Sequence, residues 1–317
     1  MVAKKVVFIA IMLMICAGSV YSEVAITQSV KLTTNGEYNS PQFSPDNNMI
    51  AMTNLEHSKG LYVMNANGTN LRSLTTEGAA GYKFVWSADS KKLAFRSSNI
   101  FDTNTGPDIR FAIKTVDVFS GKAVQLTKYE EDVYPPVWSE NGAKLLYAAR
   151  GKLYSSIINS KYASQVSAKD RVVFTDLNMV YLLEPDGTKV ELAEGYNPVL
   201  SPDGMNVAYL RGNDIYVMIL PTKKEVKLGE GSWPVWSPDG TRVLYANTWD
   251  DGHEVLGSEI YVQNSDGTAR QQLTKTDDII ESEPSWSSDG KKIVYADMAA
   301  GSIWVSEVIT KDDGVKK

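Results

Sequence analysis

Short apolar runs alternate along the chain with polar turns built from Ser, Pro, Asp and Gly. In the clearest case Pro234-Val235-Trp236 runs into Ser237-Pro238-Asp239-Gly240, and Arg242-Val243-Leu244-Tyr245-Ala246 follows. Runs this short, rich in β-branched and aromatic residues, predict two strands joined by a tight turn. Proline presets φ in such a turn and glycine accepts a positive φ. Variants stand at Pro41-Gln42-Phe43-Ser44-Pro45-Asp46, Phe84-Val85-Trp86-Ser87-Ala88-Asp89, Pro136-Val137-Trp138-Ser139-Glu140-Asn141-Gly142, Pro198-Val199-Leu200-Ser201-Pro202-Asp203-Gly204 and Pro284-Ser285-Trp286-Ser287-Ser288-Asp289-Gly290. A unit repeated in this way buries its apolar face against its neighbours rather than alone.

Each unit carries four strands. After Trp236 and Arg242 to Ala246 come Glu259 to Gln263, the turn Asn264-Ser265-Asp266-Gly267-Thr268, and Arg270 to Leu273. The last unit has strands at 284–286, 292–295 and 302–308 and lacks a fourth. Thr27 to Thr33 resembles the fourth strands Leu71 to Thr75 and Arg270 to Thr274, and it precedes the first unit. The expected fold is therefore all-β: a six-bladed β-propeller over residues 23–310 with four-stranded antiparallel blades. The N-terminal strand completes the last blade and closes the ring. The long interval between Trp138 and Leu200 is expected to hold an insertion.

Composition adds limits. Lys4 and Lys5 followed by the apolar run Val6 to Ala17 predict a signal peptide over residues 1–22. Cys16, the only cysteine, falls within it, so no disulfide or thiolate metal site is expected afterwards. No later stretch is apolar enough for a membrane span. The net charge of -6 argues against nucleic acid. A periplasmic or secreted monomer follows, with residues 311–317 as a charged, disordered tail.

The pattern Pro-x-Trp-Ser-Pro-Asp-Gly, then Ile260-Tyr261-Val262, then Leu273-Thr274 resembles the WD40-like (PD40) repeat of the TolB family. Leu61-Tyr62-Val63 with Leu74-Thr75, Leu126-Thr127 and Ile215-Tyr216-Val217 extend the resemblance to residues 27–309, the propeller part without the TolB N-terminal domain. It implies a periplasmic protein that works by binding other envelope proteins. The peptidases and lyases with similar repeats rely on a Gly-x-Ser-x-Gly elbow or on several histidines. The chain has no such elbow, and its histidines are His57 and His253.

In this topology the turns within the motif share one face. The connections into the first strands and between second and third strands share the other. Long connections are expected on that second face at Ser97 to Pro107, Ala148 to Thr175 and Asn247 to Ser258. The acids Glu131, Asp132, Asp278 and Glu281 are expected to rim it, with Tyr82, Tyr134, Tyr196, Trp233 and Trp249 set among them. Aromatic anchors within a polar rim are the make-up of a protein-binding patch, here for an envelope protein or peptide. Two other readings draw on the same residues. The carboxylates could bind or cleave a glycan. Asn39, Asn197 and Glu283 could hold Ca2+ at the channel mouth.

Overall fold

The computed structural model describes residues 23–34, 37–55, 59–158, 164–165 and 167–311. The signal pattern at 1–22, His57 and residues 312–317 lie outside the described residues. Lys311, expected in the tail, ends a strand.

The described residues contain strands and no helix. The chain begins with β1 (Glu23–Ile26) and β2 (Val30–Lys31). The first sheet is β3 (Tyr38–Phe43), β4 (Met49–Asn54), β5 (Leu61–Asn65) and β6 (Arg72–Thr75). The second is β7 (Phe84–Trp86), β8 (Lys92–Thr103), β9 (Gly106–Asp117) and β10 (Ala123–Gln125). The third has three strands, β11 (Val137–Trp138), β12 (Lys144–Ala149) and β13 (Lys152–Ile157). So does the fourth, with β14 (Val172–Asp176), β15 (Met179–Leu183) and β16 (Lys189–Glu194). The fifth is β17 (Tyr196–Leu200), β18 (Asn206–Arg211), β19 (Asp214–Ile219) and β20 (Lys224–Glu230). The sixth is β21 (Ser232–Trp236), β22 (Arg242–Asp250), β23 (Val255–Asn264) and β24 (Gln271–Gln272). The seventh is β25 (Glu281–Trp286), β26 (Lys292–Asp297) and β27 (Ser302–Lys311), and β1 and β2 pair antiparallel with the outer edge of β27.

There are thus seven sheets among the described residues where the sequence predicts six, and two of them have three described strands rather than four. The supposed connection Ala148 to Thr175 contains β13, which hairpins back onto β12, and β14, which belongs to a different sheet. This unit escapes the repeat motif because Ser167-Ala168-Lys169-Asp170 stands where the others carry a Ser-x-Asp or Ser-x-Asn turn after the anchor. Its apolar filling comes from Val172 and Phe174 instead.

The same device joins first and second strands in six sheets. In the sixth, the Ser237 hydroxyl donates to Asp239 Oδ1 (2.5 Å) and accepts the Arg242 N–H (3.0 Å). Ser44, Ser87, Ser139, Ser201 and Ser287 repeat both bonds. These serines are buried, and the paired bonds leave no orphaned hydroxyl. The register they set aims the anchor tryptophan at the preceding sheet. Trp86, Trp138 and Trp236 each donate the indole N–H to a carbonyl there, of Gln42, Val85 and Val199.

Apolar clusters lie between successive sheets. One joins Trp86 and Phe95 to Met49 and Val63, and another joins Trp236 and Tyr245 to Ala208 and Ile215. A further cluster packs Val294, Ala296 and Ile303 of the seventh sheet on Phe43, Ile50 and Met52 of the first. A second strand is therefore covered on both faces, which is why Val243-Leu244-Tyr245-Ala246 reads as an unbroken apolar run rather than an alternation.

Removing residues 23–34 takes Val24 from its cluster and the Ser29 hydroxyl from Tyr295, which donates to it at 2.6 Å. The expected loss of stability is more than about 3 kcal/mol, read as a lower urea midpoint. An unchanged midpoint would show that β27 does not need its outer neighbours.

Candidate functional site

The first strands of five of the seven sheets line a cavity of about 520 Å³. Residues of β3, β17, β21 and β25, with Tyr82, Lys83 and Phe84 at the start of β7, line it. The side chains that reach it follow a rule. Ser40, Lys83, Asn197, Trp233 and Glu283 all line the cavity, and each stands three residues before its anchor Phe43, Trp86, Leu200, Trp236 or Trp286.

Four of these five precede a proline and hold a positive φ: Ser40 at 50°, Asn197 at 50°, Trp233 at 52° and Glu283 at 49°. A residue before proline normally adopts extended backbone, and a left-handed non-glycine residue costs on the order of 1 kcal/mol. The strand register breaks at each of them, between Asn39 and Gln42, Tyr196 and Val199, Ser232 and Val235, and Ser282 and Ser285. Such a bulge re-aims a side chain. Here all four re-aimed side chains are among those at the cavity.

Glu283 Oε2 accepts hydrogen bonds from the N–H and the hydroxyl of Ser40, across the contact between the seventh and first sheets. Burial raises its carboxyl, and the Ser40 bonds work against that rise. Lys83 has surface open to the cavity yet protein all around it. That desolvation, with the Arg96 guanidinium next in effect, lowers its ammonium to about 8. Arg96 is held between the rings of Tyr82 (4.8 Å) and Phe111 (4.2 Å) and donates to the Val133 carbonyl at 3.0 Å.

Two of the expected long loops are regular hairpins. β8 and β9 pair to Thr103 and Gly106, and β22 and β23 pair to Asp250 and Val255. Antiparallel order puts their tips on the face where the first strands begin. The first hairpin exposes the cross-strand pair Ile100 and Ile109. On the second, Trp249 is 46 % exposed and lies over Gly257, where a Cβ would stand 2.2 Å from the indole.

The sequence-predicted candidates divide. Tyr82, Trp233, Asn197 and Glu283 come together at the cavity, while Glu131, Asp132 and Asp278 are exposed on connections away from its lining. Tyr134 packs on Phe174 (4.7 Å between ring centres), and Tyr196 donates its hydroxyl to the Gly212 carbonyl (2.7 Å). Asn39 does not join Asn197 and Glu283 in the lining, and its amide oxygen is buried without a partner among the described residues. The carboxylate at the cavity is already taken by Ser40, so these three residues make a poor fit to a calcium site, which uses six to eight oxygens. No group of three or more His, Cys, Asp or Glu among the described residues is placed to hold a metal. Ser40, which the sequence argument did not single out, and Lys83 are further cavity residues. Their position before the anchor is the signal that marks them.

The fold has counterparts among solved structures. TolB from Acinetobacter baumannii matches 80% of this chain at 17% identity with a TM-score of 0.52, and this chain spans 58% of the length of that one. A chain in the crystal structure of a mitotic checkpoint complex matches 98% of this chain and 100% of its own length, at 15% identity with a TM-score of 0.58. No protein-family model matches, and no curated protein does. At these identities the likeness is one of fold, a β-propeller of the TolB and WD40 kind. Among the described residues no helix is long and apolar enough to cross a membrane.

Glu281, expected on the rim, is wholly buried. It accepts the Thr276 hydroxyl at 2.9 Å, while buried Glu259 accepts the Thr276 N–H at 2.9 Å. The second oxygen of each carboxyl has no hydrogen-bond partner among the described residues. Burial pushes the Glu281 carboxyl from 4.5 up to about 7, the Thr276 bond opposes this, and the Glu259 charge adds to it. A carboxyl raised on folding stabilises the fold while protonated. That contribution is full below pH 4.5 and is lost as pH rises through 7. Wild type should therefore lose on the order of 3 kcal/mol between about pH 5 and pH 8 relative to Glu281→Gln. Urea unfolding at the two pH values checks this; parallel curves for both proteins would refute it.

Proposed function

We propose that this chain is a seven-bladed, closed propeller that acts without catalysis, binding another protein across the face where its central cavity opens. The observation that carries the reading is the grouping of unsatisfied contact surface on that one face. Tyr82, 52 % exposed, and the partly exposed Trp233 stand at the cavity, and two ordered hairpins beside them present Ile100, Ile109, Trp249 and Leu256. Aromatic side chains with few rotatable bonds and a polar surround suit protein contact. The opposite face, by contrast, is made of Ser–Asp turns whose polar groups are bonded to one another.

The propeller likeness to TolB and to the checkpoint complex supports a scaffold role. The charged-then-apolar pattern of residues 1–22 supports export, and an envelope protein or peptide is then the partner to seek. Exposed Glu131, Asp132 and Asp278 would act at the edge of the contact, guiding approach more than holding the complex.

A cross-linking capture from envelope extract, using the full chain, tests the face. Tyr82→Ala combined with Trp249→Ala should weaken capture of a specific partner by about tenfold or more at an unchanged melting temperature. Equal recovery by wild type and the double variant would rule out this face as the binding surface.

A further inference from the structure

The overall acidity of the chain hides an unmatched positive charge at its centre. The cavity lining contains one cation, Lys83, and one carboxylate, Glu283. Glu283 is bonded to Ser40 across the junction of the seventh and first sheets. Lys83 has no hydrogen bond or ion pair with any described residue, and the charge felt most at its ammonium is a second cation, Arg96. Arg96 brings no anion with it. Its charge is faced by the rings of Tyr82 and Phe111, and its buried Nε has no acceptor among the described residues. Two neighbouring cations without a counter-charge are costly in a setting that protein surrounds.

We propose that the central cavity is a carboxylate-binding site in which the Lys83 ammonium pairs with the anion of the ligand. Trp233 and Tyr82, on the same lining, offer their rings to the body that carries it. Asn197, held in its left-handed conformation, places an amide there that can donate. The charge count selects a carboxylate over a phosphate. Of the two cations only Lys83 is on the lining, so one ammonium meets the ligand there, and Glu283 on the same lining repels a second negative charge. A volume of about 520 Å³ suits a side chain, a chain end or a small organic acid. The carboxylate can therefore come from a segment of a partner protein or from a free acid. This site deepens the protein-binding reading and rests on the same face, but the test below requires no partner.

The full chain is reductively methylated with 13C and the Lys83 resonance is followed against pH. Probes are butyrate, butyramide, the capped peptide Ala-Asp-Ala and its Ala-Asn-Ala counterpart. Lys83 is expected to titrate near 8 alone and to move toward the ordinary lysine value with a carboxylate probe, while the amide probes leave it in place. Lys83→Met should weaken carboxylate binding by about tenfold or more without lowering the melting temperature, and Lys83→Arg should retain it. A response to the acidic peptide alone assigns the carboxylate to a partner segment, and a response to butyrate assigns it to a free acid. No response to either probe, an equal response to the amides, or unchanged binding by Lys83→Met overturns the proposal. If Lys83→Met binds the carboxylate probes as wild type does and a protein partner is still captured, the carboxylate site falls and the protein-binding face stands.

Discussion

The serine hydroxyl that ends the first strand in six of the sheets governs this architecture. It gives its proton to an Asp or Asn two residues on and takes the N–H five residues on, so one small side chain fixes both ends of the turn. Because the serine is buried, the arrangement has little freedom to slip, and a slip of one residue would reverse every side chain of the strand. The anchor immediately before the serine is thereby directed into the gap between sheets. Three residues earlier the same strand delivers a side chain to the cavity. Packing between sheets and the chemistry of the centre are thus two readings of one register.

The bulges before proline separate those two roles. An undistorted strand would place residues two apart on the same side. Glu281 and Glu283 are two apart, yet Glu281 is sealed beside Glu259 and Glu283 reaches the cavity. The break between Ser282 and Ser285 accounts for the difference. Strain at four related positions persists because the flanking ladder and the packed anchor over-determine each of them. The result is a lining whose members can differ freely in charge and size, as Ser40, Asn197, Trp233 and Glu283 do, while the scaffold behind them stays constant.

Much of the scaffold was legible in the sequence because its signals are local. The Ser-x-Asp turns and the anchors Trp86, Trp138 and Trp236 could be read directly, and the pairing of the N-terminal segment with the last sheet followed from a missing fourth strand. The fourth sheet was not legible, since its turn lacks the motif and its filling residue is Phe174. The hairpin arms were expected as loops because Ser97, Ser98 and Asn99 interrupt the apolar pattern, although the backbone keeps pairing through them. The candidate site was half legible. Aromatic residues near the strand starts could be named, but whether an acid lies on the rim, in the core or at the cavity depends on bulges that composition does not announce. The same holds for Lys83: its place beside a first strand could be read, but its place on the cavity lining could not.

The junction of the N-terminal strands with the last sheet also bears on how the molecule comes to be folded. Thr27 and Glu307 exchange backbone and side-chain bonds across a separation of 280 residues. Contacts of such high sequence separation carry a loop-closure cost that nearer pairings do not, and they form late. A chain emerging from synthesis holds β1 and β2 unpaired until β27 has been made, with their strand edges open to other chains in the interval. Once the pairing is made, the same separation works in the opposite sense. Breaking the pairing uncovers the outer edge of β27 and the apolar cluster around Val24, so the pairing raises the barrier to unfolding from that edge.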